Sequence, residues 1–76
     1  MLKYQMPDGD VVEAEDYKTL VRIMADSKMR RVRRTKTYRE GVARRIKAAL
    51  GYDLDTASDE KFVHSMERHH IITKVP

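Results

Sequence analysis

The side chains with the clearest capacity for chemistry form a run of cations near the middle of the sequence. Six of nine consecutive residues are Lys or Arg, namely Lys28, Arg30, Arg31, Arg33, Arg34 and Lys36. Like charges this close repel one another and gain most from a concentrated anion, and a phosphate backbone releases condensed counterions when cations neutralise it. The planar guanidinium fork suits phosphate and base-edge contacts, although it suits carboxylates equally well. The run therefore predicts contact with a polyanion.

Further cations follow the run in a segment with helical periodicity. Arg39, Arg44, Arg45 and Lys47 extend the positive region, and Arg39, Arg44 and Lys47 complete the set of candidate binding residues. Arg44 and Lys47 flank Glu40 on the helical wheel, so we expect a pair within the helix to absorb part of this charge. Arg39 and Arg45 lie towards the apolar side, where long cationic side chains extend over the edge of a core.

The net charge of +4 conceals a strong partition along the chain. Residues 1–27 contain three Lys and Arg against six Asp and Glu, a net charge of −3. Residues 28–50 contain ten against Glu40 alone, a net charge of +9, and residues 51–76 contain three against five, a net charge of −2. Pairing within the molecule therefore leaves cations uncompensated, which favours an external anionic partner over solvation alone.

The histidines do not have the spacing of a metal site. His64 has no second histidine four residues later, because that position is Arg68, a cation that repels a metal ion. On a helical wheel His64 also points away from His69 and His70, which suit the negative end of a helix dipole instead. We expect no metal and no other cofactor.

The carboxylates and serines do not form a catalytic pattern either. Asp53, Asp55 and Asp59 alternate as in a calcium loop, but the central glycine and the final glutamate of such a loop are missing. Ser58 is explained as a helix cap, and no serine stands in a G-x-S-x-G setting. We therefore expect a protein that is not an enzyme and has no catalytic residues.

Three kinds of partner are consistent with these residues. The first is DNA or RNA, bound through its backbone. A helix-turn-helix fits poorly, because the connector from Gly51 to Ser58 is too long for its tight turn and the third helix would lead with the acids Asp59 and Glu60, and the RNP, GXXG and zinc-finger motifs are absent. The second is an acidic surface or nucleic-acid channel of a larger protein complex, on which the chain would act as a modulator or inhibitor, in the manner of phage and mobile-element accessory proteins. The third is a second copy, giving a homodimer through opposite charges.

Size and composition limit the class of protein. Seventy-six residues without a cysteine make one small domain over residues 1–76, with neither disulfides nor thiolate metal sites to support it. No apolar run has the length of a signal peptide or a membrane span, so we expect a cytoplasmic protein that does not contact a membrane.

The N-terminal residues have the pattern of a β-hairpin. Leu2, Tyr4 and Met6 alternate with polar residues, and the sequence Pro-Asp-Gly-Asp at 7–10 supplies turn chemistry before a return strand that begins at Val11. The sequence Ile-Ile-Thr-Lys-Val at 71–75 predicts a final strand, which we expect to pair with this hairpin.

Three amphipathic helices are predicted between the strands. The first runs over about residues 16–27 with Asp16 as its N-cap, and the third begins after the N-cap Ser58. The second has the T-x-x-E spacing of a capping box from Thr37 and a glycine, Gly51, where a C-terminal cap belongs. Gly41 inside this helix suggests a close approach to a neighbouring element.

These elements predict an α+β fold in which a small antiparallel sheet packs against two or three helices. The expected core comprises Leu2, Tyr4, Val11, Tyr17, Leu20, Met24, Val42, Ile46, Leu50, Phe62, Val63, Met66 and Ile72.

Overall fold

The computed structural model describes the backbone of residues 1–28 and 35–76 and the side chains of residues 1–25 and 35–76. In chain order the elements of these ranges are β1 (Leu2–Gln5), β2 (Val11–Ala14), α1 (Tyr17–Lys28), α2 (Thr35–Leu50), α3 (Asp59–Arg68) and β3 (Thr73–Lys74). The strands form one antiparallel sheet in the order β2-β1-β3. The predicted α+β fold is therefore confirmed, including the pairing of the last strand with the hairpin.

The turn of the hairpin determines which residues of β2 face the core. The amide of Gly9 donates to the carbonyl of Met6 (2.9 Å), that of Met6 donates to Asp10 (2.7 Å), and Gly9 has a φ of 97°. This geometry matches a three-residue hairpin loop that ends in a glycine bulge. The loop sets Val12 opposite Tyr4 and places Val11 on the outer face, where it is 49% exposed, so its assignment to the core was wrong.

The first helix begins as predicted. The carboxylate of Asp16 accepts a hydrogen bond from the amide of Thr19 (2.7 Å) and thereby satisfies one of the free N–H groups at the start of α1. Hydrogen bonds from Thr19 also lower the pKa of the Asp16 carboxyl below its usual value. Leu20, Val21 and Met24 then face the core.

The second helix already includes Thr35, so Thr37 lies inside the helix and the predicted capping box is wrong. The hydroxyl of Thr35 accepts a hydrogen bond from Nη1 of Arg39 (3.2 Å), one turn later. Tyr38 and Arg39 are both buried. The predicted end is confirmed: Gly51 has a φ of 78°, and its amide donates to Lys47 (3.0 Å).

The third helix has a defined cap at each end. The hydroxyl of Ser58 accepts a hydrogen bond from the amide of Lys61 (3.2 Å), as expected of an N-cap. At the other end the amides of His70 and Ile71 donate to Glu67 and Met66 (3.0 and 2.9 Å), the two bonds of a Schellman motif. His70 occupies the left-handed position of this motif, with a φ of 59°, where glycine is the usual residue.

The core lies where the sheet, α1 and α3 meet. Of the predicted core residues, seven are buried: Tyr4, Leu20, Met24, Phe62, Val63, Met66 and Ile72. Four are half-buried, namely Leu2, Tyr17, Val42 and Ile46. Leu50 is 56% exposed and was wrongly predicted, because it lies at the end of α2, whose buried residues, Tyr38 and Arg39, lie in its first half. Ala14, Val21, Ala25 and Tyr38 complete the core.

Candidate polyanion-binding surface

The exposed cations of α2 are the described part of the predicted binding surface. Lys36, Arg44 and Arg45 are exposed, and none of them forms an ion pair with another described residue. Eight positions separate Lys36 from Arg44, a rise of about 12 Å along the helix, which is the scale of several successive phosphates.

The predicted pairing within α2 does not occur among the described residues. Glu40 is exposed and forms no ion pair with Arg44 or Lys47. Lys47 instead reaches Asp53, beyond the end of the helix, with its Nζ 3.0 Å from Oδ1 and 3.1 Å from Oδ2. Both side chains remain largely exposed, and such surface pairs contribute little to stability. Lys47 is therefore accessible, and Asp53 partly compensates its charge. Arg44 is also accessible but has no ion-pair partner among the described residues.

Arg39 does not belong to the surface, which corrects its assignment as a binding residue. It is only 7% exposed, and its guanidinium forms an ion pair with the carboxylate of Asp59. Its Nε donates to the carbonyl of Thr56 (3.3 Å), and its Nη1 donates to the hydroxyl of Thr35 (3.2 Å). The charge of Arg39 is thus neutralised inside the molecule, and its work is to hold the connector before α3 against α2.

The remaining candidate residues lie outside the part of the chain that the structure describes. Arg30, Arg31, Arg33 and Arg34 fall between the two described ranges, and the side chain of Lys28 is also outside them. They belong to the proposed surface through the sequence alone, because they precede α2 directly.

An apolar groove of about 390 Å³ lies beside the α2 cations. Its described lining includes Met6, Ile23, Val42 and Ile46, and Arg45 stands at its edge, as expected of a cation that extends over the border of a core. Burial raises the pKa of Tyr38, which also lines the groove, while the charge of Arg45 acts in the opposite direction.

A second site, which the sequence did not predict, is a polar cleft of about 440 Å³ between the sheet, α1 and α3. At its base the Tyr4 hydroxyl donates to Oε1 of Glu67 (2.9 Å), and the Tyr17 hydroxyl lies 2.9 Å from Nε2 of His64. Burial, followed by the bond to Glu67, raises the pKa of Tyr4 far above its usual value, so this phenol stays protonated. The spacing of His64 and Glu67, three residues apart on a helix, was the available signal.

Three further side chains form the rim of this cleft, namely Arg68, His70 and Lys74. The helical wheel puts His64 opposite His70, yet both line this cleft, because α3 ends at Arg68 and His70 lies beyond the helix in a left-handed conformation. His69 instead stacks on Tyr52, with ring centroids 4.4 Å apart and planes at 8°.

Within the described residues no three His, Asp or Glu side chains come close enough together to hold a metal ion. Among the same residues, no helix has both the length and the apolar character needed to cross a bilayer. Comparison with known proteins finds no matching family model, no similar curated protein and no similar solved structure.

Proposed function

We propose that this chain is a non-enzymatic binding protein that engages a polyanion, nucleic acid first, through the backbone of the ligand. The proposed surface consists of residues 28–36 together with Arg44 and Arg45 of α2, and Lys47 at its border. The observation that supports it is the exposure and pairing of the α2 cations. Arg39 is buried and paired with Asp59, whereas Lys36, Arg44 and Arg45 are exposed and form no ion pair with a described residue.

The net charge along the chain gives this observation its weight. Residues 28–50 hold ten cations, of which Arg39 and Lys47 pair with acids of the C-terminal segment. The other eight cations of this segment, six from residues 28–36 together with Arg44 and Arg45, are the ones that we propose for contact with an external anion. If all eight contact phosphates, the logarithm of the binding constant falls against that of the salt concentration with a slope of about −7 for duplex DNA and about −6 for a single strand.

The test is a salt titration of binding to random-sequence duplex DNA, single-stranded DNA and RNA, followed by fluorescence anisotropy. We expect binding at low salt with a steep slope and little dependence on sequence. Replacement of Arg30, Arg31, Arg33 and Arg34 by Gln should reduce the magnitude of the salt slope by about 4, and the thermal unfolding temperature should stay nearly constant. The matched control replaces exposed cations elsewhere, Lys18 and Lys61, by Gln and should retain the wild-type slope.

The alternative is a protein partner with an acidic surface, on which the chain acts as a modulator or inhibitor. The apolar groove beside Arg45 favours a protein partner, because apolar side chains of a protein can pack in such a groove and a charged phosphate backbone cannot. Absence of binding to all three nucleic acids at low salt would remove the first proposal and leave this one. The location in the cell that we propose, the cytoplasm, fits either partner.

A further inference from the structure

The polar cleft brings together residues from five parts of the chain around one opening. Tyr4 comes from β1, Tyr17 from α1, and Glu67 from α3, whereas Lys74 lies on β3 directly opposite Tyr4. His70 follows α3 and enters from the loop. None of these residues belongs to the polyanion-binding surface, so the cleft is a separate site.

The charges at the cleft favour an anion. Arg68 and Lys74 are exposed and form no ion pair with any described residue. Glu67 is the only acid that lines the described cleft, and one of its oxygens already accepts the hydrogen of Tyr4. Arg68, Lys74 and Glu67 together give the lining a net charge of +1.

His70 lines the cleft from the loop that follows α3. Its φ of 59° belongs to the Schellman motif that ends α3, so the helix cap accounts for this backbone conformation. The imidazole of His70 joins Arg68 and Lys74 in the lining as a further hydrogen-bonding group.

The phenols supply hydrogen-bond donors as well. The ring of Tyr17 meets that of His64 edge to face, with centroids 5.1 Å apart at 84°. When Nε2 of His64 carries its hydrogen, it donates to the oxygen of Tyr17, and the phenol hydrogen is then free to donate to a ligand. Guanidinium, ammonium, imidazolium and phenol groups are together the donors that bind phosphate oxygens.

We propose that this cleft binds a phosphate group, held by Arg68 and Lys74 with hydrogen-bond donors from Tyr17, His64 and His70 beside them. The charge of Glu67 opposes the ligand and limits its affinity. Such a site would take either free phosphate compounds or a phosphate of the proposed nucleic-acid ligand; the second case rests on the proposed function.

The test is a titration of the isotope-labelled full chain with inorganic phosphate and with sulfate, followed by NMR, at constant ionic strength and pH 6. We expect saturable shifts at residues around the cleft with both anions. Arg68→Gln and Lys74→Gln should each weaken binding about tenfold, the effect of losing one charge-assisted contact. Glu67→Gln, which keeps an acceptor for Tyr4, should strengthen binding because it removes the one negative charge that lines the described cleft.

The control is Lys61→Gln, which removes an exposed cation of the same helix away from the cleft and should change nothing. Absence of saturable binding at pH 6, or equal effects of Lys61→Gln and Arg68→Gln, would overturn the phosphate site.

A single-stranded oligonucleotide distinguishes the two sources of phosphate. If Arg68→Gln weakens its binding too, the cleft holds a nucleic-acid phosphate; if it weakens binding of inorganic phosphate alone, the ligand is a free phosphate compound. Replacing the four arginines at 30, 31, 33 and 34 should leave the binding of inorganic phosphate intact, so failure of the proposed function would be recognised separately.

Discussion

The guanidinium of Arg39 and the carboxylate of Asp59 form a nearly buried ion pair that joins the first turns of α2 to the start of α3. Their side chains are only 9% and 16% exposed. Arg39 also donates to the Thr56 carbonyl, so one side chain fixes the connector, the first turn of α3 and α2 relative to one another. An arginine inside the most basic part of the sequence therefore acts in folding.

Breaking this pair should destabilise the fold without a specific effect on ligand binding. We expect Arg39→Ala and Asp59→Ala each to lower the free energy of unfolding by about 3 kcal/mol, because the charge that remains is left buried without its partner. Urea denaturation followed by circular dichroism measures this. Arg44→Ala, the control on the same helix, should change stability by less than about 0.5 kcal/mol. A stable Arg39→Ala protein that has lost nucleic-acid binding would return Arg39 to the binding surface.

Each exposed cation of α2 should contribute one phosphate contact to nucleic-acid binding. Arg44→Gln and Lys36→Gln should each reduce the magnitude of the salt slope by about 1, because each removes one counterion-releasing contact. Lys47→Gln should have a smaller effect, since Asp53 already compensates its charge. Anisotropy titrations over a range of salt concentrations measure the slopes. Equal slopes for the wild type and Arg44→Gln would exclude α2 from the interface.

Gly41→Ala should stabilise the protein. The expected close approach of a neighbour at this position was wrong, because no heavy atom of the described neighbours comes within 4 Å of a Cβ built on Gly41. Alanine in a helix interior is better than glycine by about 1 kcal/mol, and here it meets no obstacle. Thermal and urea unfolding measure the gain. A loss of stability would mean that the helix bends or packs at Gly41 in a way that a methyl group prevents.

His70→Gly should also stabilise the fold, by about 0.5 kcal/mol. Glycine removes the energetic cost of the left-handed backbone. Glycine also raises the entropy of the unfolded chain, and this second effect offsets part of the gain in stability. His70→Ala is the matched control, since it removes the imidazole but keeps the backbone cost. If the glycine variant is the more stable one and both variants bind sulfate more weakly at pH 6, His70 serves the cleft at the expense of stability. Equal stability of the two variants would show that the backbone cost is negligible.

The order of the helices and strands could be predicted from the sequence. Features that depend on contacts between residues far apart in the sequence could not. Asp16, Ser58 and Gly51 are local signals whose hydrogen bonds involve neighbours three or four residues away, and they appeared as predicted. The burial of Arg39 goes with its ion pair to Asp59, twenty positions later, which no local pattern reveals. Val11 was misplaced because the glycine bulge of the turn shifts the register by one residue.

The polar cleft shows the same limit for a site. Tyr4 and Glu67 are 63 positions apart, and Tyr17 and His64 are 47 apart, so only the fold brings the four side chains together. The predicted cationic surface was accessible to reasoning because its members are neighbours in the sequence. A contact of high sequence separation must be read from the fold.

The burial of Tyr4 predicts a specific loss of stability in alkaline solution. The raised pKa of Tyr4, caused first by burial and then by Glu67, means that the unfolded chain releases this proton near pH 10 while the folded chain retains it. The corresponding stability is complete below about pH 10 and is lost as the pH rises above it. Tyr4→Phe should cost about 1 kcal/mol at neutral pH through the lost bond to Glu67, but this deficit should shrink between about pH 9 and 11 because phenylalanine does not ionise. Urea denaturation at several pH values measures the difference, with the exposed Tyr52→Phe as control. A deficit that is constant with pH would mean that Tyr4 ionises as readily in the folded protein as in the unfolded chain.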